Sequence, residues 1–305
     1  MPELPDIELY VEALSQRIVD CPLKSARIAH PFVLRSFEPK PEASFGQTVT
    51  RVFRMGKRIV IRMSNDHHWI IHLMIAGRLH WGKPNAPLAK RAGLFAIDFS
   101  SGTLSLTEAG TKRRASLHVL GNAEELAAFR RYGVEPLEVD AERFAASLRR
   151  ESHTLKRALT DPDIVSGVGN AYSDEILHRA RLSPMALTRT LDDEACQRLH
   201  AACQSTLAEW VSRLQAEAGG AFPERVTTFR PEMAVHGRYA EPCPVCGTKV
   251  QRIRYATNEC NYCPTCQTQG RLLADRSLSR LLRKDWPRSL EELDEHRAAR
   301  RSSGD

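Results

Sequence analysis

Five of the eight cysteines fall between Cys243 and Cys266, and their spacing is that of a metal site. Cys243-Pro-Val-Cys246, sixteen intervening residues and Cys263-Pro-Thr-Cys266 make two C-P-x-C knuckles, each able to bring two thiolates to one tetrahedral ion. Four thiolates close the coordination shell. The expected cofactor is therefore one structural zinc ion per chain, with no open position for chemistry. Cys260 offers a rival Cys260-x-x-Cys263 pairing, but only the outer choice makes the two knuckles alike. Between the knuckles, residues 250–255 and those before Cys263 read as the arms of a β-hairpin carrying Lys249, Arg252 and Arg254. Such a finger suits a nucleic-acid probe; the competing reading is a stabilising clip with solvated bases. Cys21, Cys196 and Cys203 read as ordinary core thiols.

The opening Met1-Pro2-Glu3 offers a second chemistry. Removal of Met1 before the small Pro2 leaves a free secondary amine, and an N-terminal amine titrates near about 8, far below a lysine side chain. Such an amine attacks a sugar C1′, expels the base as an iminium forms, and permits strand scission by elimination, with Glu3 beside it to move protons. Taken alone, Met-Pro-Glu is also a common start. A third signal is Val165-Ser-Gly167-Val-Gly169-Asn170-Ala-Tyr172 running into a helix. Glycines before a helix start expose backbone N–H groups that take a phosphate, with Asn170 near the cap and Lys156 upstream. A plain packing joint between two helices is the rival reading there.

These groups need elements to hold them. Ile7, Val11, Leu14 and Ile18 keep helical spacing from almost the first residue, with Asp6 placed to cap the first turn. Between residues 25 and 120 the pattern turns to strands at 58–63, 69–73 and 94–99, the last turning at Ser101-Gly102 into 103–106. Gly133 and Pro136 mark a linker, after which helical patterns cover 144–159, 171–180 and 192–218, closed by Gly219-Gly220. The expected domains are a β-rich one over 1–132, a helical one over 140–220, a finger over 235–267 and a charged tail over 268–305. In that tail Leu272, Leu273, Leu278, Leu281 and Leu282 suit a short helix, and residues 291–305 read as disordered.

A chain of 305 residues with 42% apolar content fills real cores. It holds no apolar run near the roughly 20 residues of a membrane helix, and Glu3, Asp6, Glu8 and Glu12 stand where a signal peptide would be basic and then apolar. The expectation is a cytoplasmic protein with no membrane partner. Net charge is +7, and the excess is concentrated: nine bases against one acid, Asp66, lie between Arg51 and Arg91, and Lys112, Arg113 and Arg114 extend them. Such a patch attracts polyanions, as a solvated basic face also would.

Together the motifs resemble the formamidopyrimidine-DNA glycosylase and endonuclease VIII family. The resemblance rests on Met1-Pro-Glu-Leu-Pro-Asp-Ile-Glu8, Gly56-Lys57-Arg58, His72-Leu-Met-Ile-Ala-Gly77, Val168-Gly-Asn-Ala-Tyr-Ser-Asp-Glu175 and the two knuckles, in family order across residues 1–267. It implies an α+β fold: an N-terminal β-sandwich with flanking helices, a helix-two-turns-helix module and a zinc-finger hairpin, with damaged double-stranded DNA bound between domains by a monomer. Pro2 would be the Schiff-base nucleophile, Glu3 the acid/base that opens the sugar, and Lys57 a phosphate-holding lysine that assists elimination. Asn170, with Gly169 at the same turn, would bind a backbone phosphate, helped by Lys156. The base would leave the stack, at a cost of about a few kcal/mol.

Three departures stand out. Where the family has an Asp-Pro-Arg-Arg-Phe loop that fills the hole left by the extruded base, this chain has Glu108-Ala-Gly-Thr-Lys-Arg-Arg114. Lys112 or Arg113 substitutes, with Met74 or Ile75 as wedge. The 222–235 segment is short compared with the family's lesion-covering loop. Where the family's finger carries an arginine linked to DNA binding and the second elimination step, Asn258 stands, with Arg254 on the opposite arm. The leading expectation is a glycosylase and abasic-site lyase for oxidised or ring-opened bases. The alternatives are the same chemistry on bulky adducts or crosslinks, and a non-catalytic damage-binding protein; a mere binder has no use for Pro2, Glu3 and Lys57 together.

Overall fold

A computed structural model describes every residue except 131–132, 225, 228, 256–257, 275–285, 294, 296–297 and 299–305. The chain divides into two compact units, Met1–Tyr132 with Leu207–Thr228 and Gly133–Thr206 with Phe229–Asp305. Among the described residues no helix is long and apolar enough to cross a membrane.

The first unit begins with helix α1, Leu4–Ile18. Asp6 caps it as one half of a reciprocal capping box: Glu3 is the N-cap residue, and Asp6, three residues on, accepts the Glu3 N–H at 2.9 Å while the Glu3 side chain takes the Asp6 N–H. Strands β1 (Leu23–Ile28), β2 (Val49–Met55), β3 (Arg58–Met63), β4 (His68–His72), β5 (Gly77–Gly82), β6 (Gly93–Phe99), β7 (Thr103–Glu108) and β8 (Ser116–Leu120) follow, then α2 (Ala123–Phe129). They form two antiparallel four-stranded sheets, ordered β1-β6-β7-β5 and β2-β3-β4-β8. Period-two alternation decides which side chains meet. Ile59, Ile61 and Met63 join Trp69, Ile71, Phe95, Ile97 and the α1 residues Ile7, Tyr10 and Leu14 in one core shared by both sheets. Val60 and Ile70 point the other way and pack with Leu126 of α2.

The second unit carries α3 (Ala141–Arg149), α4 (Leu155–Thr160) and α5 (Asn170–Arg179), and long α6 (Asp193–Ala218) runs from it into the first. The single helix expected over 144–159 is broken, because Thr154 caps a new helix by accepting the Arg157 N–H at 3.4 Å. The finger contains β9 (Gln251–Arg254), β10 (Glu259–Tyr262) and α7 (Pro264–Thr268). Beyond it, Leu272 and Leu273 are not helical; Tyr262 Oη accepts the Leu273 N–H at 2.7 Å. Leu278, Leu281 and Leu282 lie outside the described residues. Residues 290–293 form a helical turn, so the expected disorder does not begin at Glu291; residues 299–305 lie outside the described set.

Candidate active site and metal centre

In the first unit the start of α1 meets the tip of the β2–β3 hairpin. Met55 pairs with Arg58, so Gly56-Lys57 is a two-residue turn, and Gly56 takes φ +61°, which costs glycine little. The buried Arg54 side chain ties this tip to the helix, reaching Glu8 at 2.6 Å and the Gly56 carbonyl at 3.2 Å. Pro2 and Glu3 are buried. Burial lowers the pKa of the encoded chain's α-amine, Glu3 and Asp6 oppose that, and Arg78 and Lys57 reinforce it. Burial likewise lowers the Lys57 ammonium while Glu3 raises it. The terminus, Glu3 and Lys57 thus share one electrostatic neighbourhood. His72, next to Arg58 in the β3–β4 register, is pushed down to about 4 by burial, then by Arg58, Lys57 and His118.

Two loops stand side by side at the Gly77↔Glu108 end of the β5–β7 pair. The first is pinched by the Gly77 N–H donating to the Leu73 carbonyl at 2.9 Å; a Cβ on Gly77 would lie 2.3 Å from that oxygen, so no other residue fits. It leaves Ile75 59% exposed, while Met74 sits part-buried at φ +53°. The second is closed by buried Glu108, whose Oε2 accepts the Arg114 and Ala115 N–H groups at 2.8 and 2.9 Å. Lys112 is exposed on it, and the Arg113 guanidinium donates to the Arg91 carbonyl. The wedge candidate with the greater exposure is Ile75. Glu108, not expected as more than a departure from the family loop, is what shapes the basic turn.

The second unit brings its residues together differently. Gly169 is the N-cap of α5 and Asn170 its first residue, but the Asn170 amide donates to the Glu259 carbonyl of β10 at 3.0 Å. Lys156 does not face solvent. Its ammonium donates to the Asn170 carbonyl, the Ser173 hydroxyl and Asp174 Oδ1 at 2.7, 2.8 and 2.6 Å, in a pair whose side chains are 9% and 0% exposed. The expected phosphate helper is therefore an internal brace, because a buried carboxylate demands its charge. Asp174 Oδ2 also accepts from the Asn261 N–H at 3.1 Å and contacts His236 Nδ1 at 2.8 Å. Glu175, raised by burial and lowered by three N–H donors, accepts from Ala234, Val235 and His236. Arg254 ends β9 opposite Glu259, and both Arg254 and Asn258 are exposed.

The cysteines gather as the outer pairing requires. Cys243 Sγ lies 4.0 Å from Cys266 Sγ, and Cys246 Sγ 3.4 Å from Cys263 Sγ. Cys260 faces away, buried with Ile253, Tyr262 and Leu273, and burial keeps its thiol protonated. A histidine that sequence reasoning missed joins the thiols: donor atoms of His178, Cys243, Cys263 and Cys266 all lie within 4.8 Å of one another. So dense a set of soft donors fits a metal ion, whose charge would let neighbouring thiols ionise together.

Two family profiles match: the formamidopyrimidine-DNA glycosylase N-terminal domain over residues 1–115 and the formamidopyrimidine-DNA glycosylase H2TH domain over residues 132–218. A formamidopyrimidine-DNA glycosylase of Desulforamulus reducens is 30% identical over 281 residues, spanning 88% of this chain and 99% of the relative. An uncharacterized formamidopyrimidine-DNA glycosylase-like protein of Mycobacterium tuberculosis is 39% identical over 154 residues, 50% of this chain and 96% of that one. Among solved structures, the Lactococcus lactis Fpg in complex with abasic-site DNA superposes with a TM-score of 0.75 at 26% identity, covering 87% of this chain and 99% of the other. With its α+β architecture, its motifs and these likenesses in agreement, the chain belongs to the formamidopyrimidine-DNA glycosylase family.

Proposed function

We propose that this DNA glycosylase of the formamidopyrimidine type is also an abasic-site lyase, and that Pro2 carries both steps. The observation behind this is that buried Pro2 and Glu3 open α1 where Arg54 ties that helix, through Glu8, to the hairpin tip carrying Lys57. Once Met1 is removed, the Pro2 nitrogen is the terminal amine of a buried residue, and burial favours its neutral, nucleophilic form. It attacks C1′ of the damaged nucleotide, the bond from C1′ to the base breaks, and the base leaves with a proton. Glu3 passes a proton to the sugar ring oxygen, the ring opens, and an iminium joins Pro2 to C1′. Loss of a C2′ proton then expels the 3′ phosphate, and water releases the enzyme. Lys57 holds the phosphate beside the scissile bond, its placement set by the hairpin tip that Arg54 anchors.

The metal bound by Cys243, Cys246, Cys263 and Cys266 is zinc in this reading; it supplies no reactive position and holds the finger's shape. The Gly169 end of α5, with the exposed Arg254 and Asn258, contacts the DNA backbone. Ile75 and the loop carrying Lys112 and Arg113 fill the void when the base is extruded. Purified protein with Met1 removed, incubated with duplexes holding formamidopyrimidine, 8-oxoguanine, thymine glycol, dihydrouracil or an abasic site, should release at least one oxidised or ring-opened base and nick abasic DNA. Binding without base release or nicking on every duplex would instead assign a damage-binding role.

A further inference from the structure

Helix α5 meets the zinc hairpin along one face. Asn170, Asp174 and His178 recur every four residues, which stacks them on one side of a helix. Each reaches the finger: the Asn170 amide to the Glu259 carbonyl at 3.0 Å, Asp174 Oδ2 to the Asn261 N–H at 3.1 Å, and His178 Nε2 to Cys243 Sγ at 3.2 Å. The first two are bonds any folded hairpin would make. The third ends on a sulfur of the candidate metal centre.

We propose that His178 donates its Nε2–H to the Cys243 sulfur of the loaded site, without binding the ion itself, and so orients that ligand and strengthens metal binding. The two knuckles already supply the four ligands that structural zinc takes. Four thiolates around a divalent ion leave a net charge of −2, and the side of the site that faces His178 is the buried one: Cys243 and Cys263 are 2% and 0% exposed, whereas Cys266 is part-buried and Cys246 exposed. A donor aimed at one sulfur offsets that charge and fixes the ligand's orientation. His178, 6% exposed, is held in place for this by the helix that carries Gly169 and Asn170 at its other end.

The inference rests on zinc being the resident metal; purified wild type without zinc would fail that reading as well as this one, whereas the outcomes below concern His178 alone. His178→Phe keeps a planar ring and removes the donor; His178→Gln restores an N–H of similar reach. Chelator competition should give zinc affinity about tenfold or more weaker in the Phe variant, with most of it regained in the Gln variant. In cobalt-substituted protein the four-thiolate d–d envelope should stay the same in all three, while the sulfur-to-cobalt charge-transfer band shifts in Phe and returns in Gln. Equal zinc affinity in wild type and Phe would overturn the proposal. So would a Cys246→Ser protein that keeps the wild-type cobalt envelope while His178→Phe loses it, which would make His178 a ligand. If Phe does not fold, wild type loaded with cadmium and carrying isotope-labelled histidine decides. A slowly exchanging His178 Nε2–H with no direct cadmium–nitrogen coupling supports the bond, and direct coupling or fast exchange refutes it.

Discussion

Replacing Lys156 by Met separates a brace from a phosphate ligand. The ammonium makes three contacts of 2.6 to 2.8 Å, and the side chains of the pair are 9% and 0% exposed. Methionine fills the space but leaves the Asp174 carboxylate without its cation, and removing one member of a buried pair costs about 3–5 kcal/mol. For a body of this size, each kcal/mol lowers Tm by about 2–4 °C, so the expected fall is roughly 6–20 °C. Differential scanning calorimetry measures it, with duplex affinity titrated against salt in parallel. Adding Asp174→Asn should recover part of the loss, because it removes the stranded charge yet keeps an acceptor for the Asn261 N–H. The slope of log affinity against log salt should not change. A variant that melts with its parent but loses about 0.9 from that slope would put the ammonium on a phosphate and refute the buried-pair reasoning.

Three further outcomes follow from the sites. Glu3→Gln should slow base release by about 100-fold or more, the usual contribution of a positioned proton donor, while nicking of a preformed abasic site suffers less; equal losses on both substrates would remove Glu3 from sugar opening. His72 is held at about 4 against an ordinary 6.5, so the unfolded chain takes up the proton first and stability falls as pH drops through that window. The loss near pH 5 is about 2 kcal/mol, and denaturant midpoints should show it largely absent in His72→Gln, whereas parallel pH profiles would contradict it. Asn258, exposed beside the hairpin turn, offers no permanent charge; gels resolving the 3′ ends of cleaved abasic DNA should show unsaturated aldehyde in wild type and more phosphate in Asn258→Arg. Rapid, complete conversion to phosphate ends by wild type would point to Arg254 as the compensating charge.

The metal centre was legible because knuckle spacing is a local covalent constraint, and the choice between Cys246 and Cys260 was legible only through symmetry. The structure explains it by strand alternation, which sends Cys260 into an apolar cluster. Strands 58–63 and 94–99 were readable from period-two apolar patterns that two sheets bury. The break after Arg149 was not read, although Thr154 before Leu155 carries the N-cap signal, because apolar spacing continues across it. Direction was the larger blind spot. Sequence puts Lys156 upstream of the turn expected to bind phosphate but does not say that its side chain turns inward to Asp174, a long-range pairing. Glu108 read as a missing motif, and only the fold shows its carboxylate closing the loop. His178 had a faint signal, the third member of a four-residue spacing that starts at Asn170.

If Pro2 is the nucleophile, its nitrogen becomes covalently joined to C1′ during turnover. Borohydride reduction during turnover on an oxidised-base duplex, followed by proteolysis and mass spectrometry of the crosslinked peptide, locates the bond directly. The expected product is a nucleotide remnant on the N-terminal peptide beginning at Pro2, with no trapping when Met1 is retained. A remnant on Lys57 or another lysine, or undiminished trapping with Met1 in place, would rule out Pro2 as the nucleophile.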